Sequence, residues 1–150
     1  MNMIPMRVVV PFVLALVACA ERDPTSKIVA TLMSDVMVRE TQQGAFLELE
    51  ALGPEGVPYL VGRLSDFRPL PERRISLENK SPAAFERLRH YRPETVHDAL
   101  SAILNQITGE RFEVVYSGAS NEVRNRNVAA WRSWCITKYP DRSAHCNGAI

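Results

Sequence analysis

The stretch ALGPEGVPYLVGRLSD, residues 51–66, decides how the rest of the chain is read. Gly53 stops a helix, because a residue without Cβ enters the left-handed region at little steric cost. Pro54 follows, and its fixed φ and missing N–H suit the first turn of a new helix. Val57, Leu60, Val61 and Leu64 then recur at three- and four-residue spacing and form one apolar face, with Gly62 a mild weakness in it. The stretch predicts two helices joined by a tight turn.

Upstream, Ile28, Val29, Leu32, Met33, Val36 and Met37 make an apolar stripe that predicts a first helix over residues 26–42. Gly44 loosens the chain, and residues 45–52 resume the helical pattern with Phe46, Leu47 and Leu49. Downstream, residues 66–82 hold Pro69, Pro71 and Pro82, which oppose regular structure. Within that insertion an extended piece is expected at 75–77, followed by a brief helix over 83–91 with Phe85 and Leu88 inward. The strongest helical pattern comes next, with Pro93 in the first turn and Glu94 near the positive end of the dipole. Val96, Ala99, Leu100, Ile103, Leu104 and Ile107 share its apolar face, and Gly109 stops it. Residues 111–116 alternate, with Phe112, Val114 and Tyr116 on one side, and predict an extended segment. Ser120 caps a last helix carrying Val123, Val128, Trp131, Trp134 and Cys135, which ends before Pro140. The expected fold is mostly α: compact helical hairpins, one irregular Pro-rich insertion and a short extended segment.

The amino terminus has a different character. Arg7 precedes an apolar run over residues 8–18, interrupted by Pro11 and followed by Cys19. This is the layout of a secretory signal peptide, and the run is too short to cross a bilayer, which takes about 20 apolar residues. Leu16-Val17-Ala18-Cys19 resembles the lipobox of bacterial lipoproteins. The resemblance implies cleavage before Cys19, a diacylglyceryl group on its thiol and an acyl group on the new amino terminus, several chains that together hold a protein stably to a membrane. Ala20, where an Asp commonly signals inner-membrane retention, implies the periplasmic face of the outer membrane. The expected organisation is therefore a cleaved leader over 1–18, a lipidated cysteine and tether over 19–26, a helical domain over 27–139 and a tail over 140–150.

The chain has 18 Lys and Arg against 17 Asp and Glu. Loss of Arg7 with the leader makes the remainder neutral, so no basic excess drives nucleic-acid binding. Lipidation of Cys19 leaves Cys135 and Cys146 as a pair in an oxidising compartment, where a structural disulfide is expected. The pair lacks the CxxC spacing of a redox-active dithiol. Two free thiols remain open if the tail is unstructured.

Residues 51–66 are also similar to the unit of HEAT-repeat proteins, in which a Gly-Pro-Glu turn leads into a Val-Pro-x-Leu helix. Residues 105–112 (NQITGERF) and 128–134 (VAAWRSW) resemble the closing segment of some bacterial HEAT-like proteins. No second copy recurs at a fixed period, so a compact domain is expected and not a long solenoid. The resemblance implies a protein-binding scaffold and no chemistry, nor does it imply a cofactor.

Catalytic motifs are missing. His90, His97 and His145 have neither HExxH nor Cys/His zinc spacing, and Tyr116-Ser117-Gly118-Ala119-Ser120 is not a nucleophile elbow. His97 beside Asp98 is expected on a solvated helix face. Trp131 and Trp134 could form a binding platform, but core positions are expected for rings of that size. The candidate partner surface is the basic set Arg73, Arg74, Arg87, Arg89 and Arg92 with His90, set against Glu72, Glu78, Glu86 and Glu94 on a solvated face. These features point to a lipid-anchored envelope protein that binds another envelope protein. The alternatives are an inhibitor or immunity protein, and an enzyme on envelope material using His90 and His97.

Overall fold

The computed structural model describes residues 23–113 and 117–148. Cys19, the leader and the expected alternation at Val114 and Tyr116 lie outside them. The fold is mostly α. The helices are α1 (Pro24–Asp35), α2 (Gln42–Ala51), α3 (Val57–Arg63), α4 (Val96–Thr108), α5 (Asn121–Lys138) and α6 (Ser143–Cys146), with an antiparallel hairpin of β1 (Ile75–Glu78) and β2 (Leu88–Tyr91) between α3 and α4. None of the described helices is long and apolar enough to cross a membrane.

The first helix begins and ends earlier than expected. Asp23 caps it, accepting from the Thr25 backbone N–H at 2.9 Å, and Pro24 occupies its first turn. Residues 24–26 of the expected tether are thus helical, and Ser26 is buried. The helix stops at Asp35, where Met37 and Val38 donate to carbonyls only three residues back, and Thr41 Oγ1 donates to the Asp35 carbonyl at 2.8 Å. The break therefore precedes Gly44, which lies inside α2. Gly53 takes φ +58°, and a 3-10 turn at Gly53–Glu55 carries the chain into α3.

Helix α3 is central, packed against α1, α4, α5 and α6. Its Leu60, Val61 and the following Leu64 are fully buried with Phe46 and Leu49 of α2, Leu100, Ile103 and Leu104 of α4, and Trp131 of α5. Each such side chain contributes roughly 1.5–3 kcal/mol on leaving water. Gly62 is a packing necessity, since a Cβ there would lie 2.3 Å from the His145 carbonyl oxygen. Only a residue without a side chain lets α6 come so close.

Helix α4 is the most strongly specified. Pro93, expected in its first turn, lies ahead of it, and Thr95 caps it: Thr95 Oγ1 accepts from the Asp98 N–H while Asp98 Oδ2 accepts from the Thr95 N–H, a capping box. Gly109 ends it at φ +77°. Phe112 packs edge-on against Trp131 with ring centroids 4.9 Å apart, and Trp134 stands against both rings. Trp131 is buried and Trp134 half-buried, so the two do not form an open platform.

The carboxyl-terminal stretch is docked. A 3-10 turn at Pro140–Arg142 leads into α6, and a disulfide joins Cys135 to Cys146 with Cα atoms 5.9 Å apart. Both cysteines are buried. His145 stacks on Tyr59 of α3 with centroids 4.5 Å apart. The Tyr59 hydroxyl donates to Asp23, which ties the start of α1 to the same place. Burial, and then the Asp23 carboxylate, raise the phenol to about 12.

Candidate functional site

The Pro-rich insertion folds into the hairpin, and two adjacent glutamines of α2 fix it to the helical body. The Gln42 side chain donates to the Glu72 carbonyl at 2.8 Å and accepts from the Glu72 N–H at 2.9 Å. Gln43 does the same with Ser76, at 2.7 and 2.9 Å. Each amide thus mimics a neighbouring strand, satisfying backbone groups that would otherwise face a helix. Ile75 and Leu77 point inward and are fully buried.

Residues 83–91 do not form the expected brief helix. Leu88 to Tyr91 pair with Ile75 to Glu78 instead, in the register Ile75 to Tyr91 and Ser76 to His90. The tip is closed by Asn79, whose N–H donates to the Arg87 carbonyl at 2.8 Å and whose side-chain amide donates to the Glu86 carbonyl at 2.9 Å. Phe85, expected inward, is fully exposed at 102% of its reference area, and Leu88 is 43% exposed.

Of the basic set, Arg89 Nε donates to Asn79 Oδ1 at 3.0 Å and helps hold the tip. Arg73, Arg74, Arg87 and Arg92 are exposed and take part in no ion pair among the described residues. Glu72 is taken by Arg39, and Glu94 lies 3.4 Å from Arg124. Glu72 and Glu94 therefore do not balance the cluster. Arg73, Arg74 and Arg92 line one open depression of about 440 Å³ with Glu94 and Ser117. His90 accompanies them on the hairpin, its Nδ1 2.8 Å from Ser76 Oγ.

His97 is not on a solvated face. It is fully buried, its ring edge-on to Phe67 at 5.4 Å, and its Nδ1 lies 2.7 Å from the Leu64 carbonyl oxygen. A carbonyl only accepts, so Nδ1 carries the proton and the neutral ring leaves Nε2 without one. Burial pushes the imidazole below its usual range.

Asp98 is fully buried as well. Its Oδ1 accepts from Arg124 Nε at 2.8 Å, and its Oδ2 accepts from Arg124 Nη2 at 2.9 Å and from the Glu94 and Thr95 N–H groups. Burial alone would raise this carboxyl, but the Arg124 guanidinium and the backbone donors outweigh it and hold it below the usual carboxylate range. Such a saturated carboxylate has no lone pair aimed at a substrate. His90 on the exposed hairpin and His97 in the core are not brought together, and among the described residues no group of three or more His, Cys, Asp and Glu side chains could hold a metal ion.

Two features of this site depart from what the sequence led one to expect. Thr95 and Asp98 carry the T-x-x-D spacing of a capping box, a signal that was present in the chain and that marks Asp98 as structural. Arg124 as its partner had no local signal, being 26 residues away. No protein-family model matches the chain, and no curated protein or solved structure does so either.

Proposed function

We propose that this chain is a lipid-anchored protein of the bacterial envelope, held at the periplasmic face of the outer membrane through Cys19, whose HEAT-like helical body presents the 75–91 hairpin to a protein partner. The hairpin tip is the observation that carries the partner reading. Phe85 is fully exposed and lies near Arg87, which takes part in no ion pair among the described residues, while the base of the hairpin is fixed by Gln42 and Gln43. Aromatic and arginine side chains dominate interface hot spots, and a pre-organised scaffold reduces the ordering cost of binding. The leader layout and lipobox resemblance support the anchor.

Two measurements test the reading. Mass spectrometry of the mature chain should show an acylated Cys19 at its amino terminus; an unmodified cysteine removes the anchor. The full chain should recover one specific protein from envelope extracts, and a Phe85→Ala, Arg87→Ala variant should lose it. Equal recovery by that variant would refute the tip as the contact.

A further inference from the structure

At the opposite end of the hairpin from Phe85, the strands bring like charges together. The antiparallel ladder ends at Ile75 and Tyr91, and the residues just beyond that pair, Arg74 and Arg92, line one depression. Like charges gathered around one depression repel, and neither arginine has a carboxylate within ion-pair distance among the described residues. Arg73 joins them around the same depression. The other polar groups lining it are Ser117, a hydroxyl donor, and Glu94, whose carboxylate is 3.4 Å from Arg124. Three guanidinium groups bring many N–H donors in fixed planar forks, an arrangement suited to a compact oxyanion with several acceptor oxygens.

We infer that Arg73, Arg74 and Arg92, with Ser117, form a binding site for a phosphate group, carried either by a soluble phosphate ester or by a lipid headgroup. Phosphate suits the site better than a carboxylate because its greater charge offsets more of the mutual repulsion, and its oxygens can be shared among three arginines at once. The site goes beyond the reading of the Phe85 tip as a protein contact and stands independently of it.

Titration of the full chain with inorganic phosphate at low ionic strength, followed by calorimetry and by the arginine Nε–Hε resonances, tests the site. The expected result is saturable binding with shifts at Arg73, Arg74 and Arg92 and none at Arg87. The Arg74→Ala, Arg92→Ala variant should bind about tenfold more weakly or worse, as befits lost charge-assisted hydrogen bonds, with a thermal midpoint no lower than that of the parent chain. Arg87→Ala and Phe85→Ala should leave phosphate affinity within about twofold. A second arm uses the Cys19→Ser chain, which carries no lipid of its own, with vesicles of phosphatidylcholine alone or mixed with phosphatidate. Phosphatidate-dependent binding that the double variant loses assigns the group to a headgroup, and phosphate binding without a vesicle response assigns it to a soluble ester. Lack of saturable binding in both arms, or equal weakening by Arg87→Ala, overturns the site.

Discussion

Arginine does opposite work in two regions of this molecule. Where α4 and α5 meet, Arg124 is buried and spends its fork on both oxygens of Asp98. On the hairpin, Arg73, Arg74, Arg87 and Arg92 stand in water without an anionic partner among the described residues. The first arrangement holds the fold together, and the second leaves charge free for something outside the fold. The lesson is that the duty of an arginine is set by which carboxylate the tertiary structure delivers to it, since all five are surrounded by similarly polar local sequence.

The sharpest way to break this contrast is to remove the buried partner. Arg124→Met should destabilise the protein by about 3–5 kcal/mol in urea unfolding, because Asp98 would remain as an uncompensated buried charge. Adding Asp98→Asn should recover part of that loss, and a strictly additive double variant would show that the pair is not coupled. Next in size, replacing both Cys135 and Cys146 by Ser should cost about 2–3 kcal/mol, since the bond closes a short loop that otherwise adds freedom to the unfolded chain. Gly62→Ala follows. In an exposed helix this change would stabilise by about 1 kcal/mol, but here the new methyl meets the His145 carbonyl and should cost about 1–3 kcal/mol. A stabilised variant would mean that α6 does not sit against α3.

Acidification should weaken the buried region. His97 has a folded-state pKa below its unfolded value of 6.5, so the unfolded chain takes up protons first. Its contribution is full above pH 6.5 and is lost as pH falls from there toward the folded value. Asp98 has the same sign at lower pH, with stability present above 3.8 and lost below it as the carboxylate protonates. His97→Gln should flatten the unfolding midpoint between pH 7 and 5, and an unchanged profile would exclude this histidine as the cause. The smallest effect belongs to the hairpin: single Arg73, Arg74, Arg87 or Arg92 to Ala changes should alter stability by no more than about 0.5 kcal/mol. A larger cost at any of them would place that arginine with Arg124 as part of the scaffold.

Much of the helical body was legible because its signals are local. The period of α4, its Gly109 stop and the Gly53-Pro54 junction each act within a few residues, and all appear in the structure. The misreadings arose where distant residues decide. The stripe from Ile28 to Met37 runs through the end of α1 without interruption, so the break at Asp35 has no compositional mark, and the bond from Thr41 depends on the chain having already turned. Phe85 and Leu88 have the three-residue spacing of a helix, yet pairing with Ile75 to Glu78 makes Leu88 a strand residue and leaves Phe85 at the tip. His97 and Asp98 looked solvated because two adjacent polar residues on an amphipathic helix usually are. Their burial rests on Leu64, Phe67 and Arg124, each more than 25 residues away. The arginines of the candidate surface were legible as a cluster, but their division into a tip and a base required the register.

The bond from Tyr59 to Asp23 has a bearing on reach. It fastens Asp23 to the centre of the helical body, so on the proposed anchor the fixed body would begin only four residues after Cys19. Four residues span at most about 14 Å, less than the length of α5 at about 27 Å. If the proposed lipid is present, the body would tilt and swivel close to the bilayer but would not reach far from it. So held, it would sample a shallow layer of space along the membrane at high local concentration, and even a weak grip on a neighbour in that layer would suffice to keep the two together.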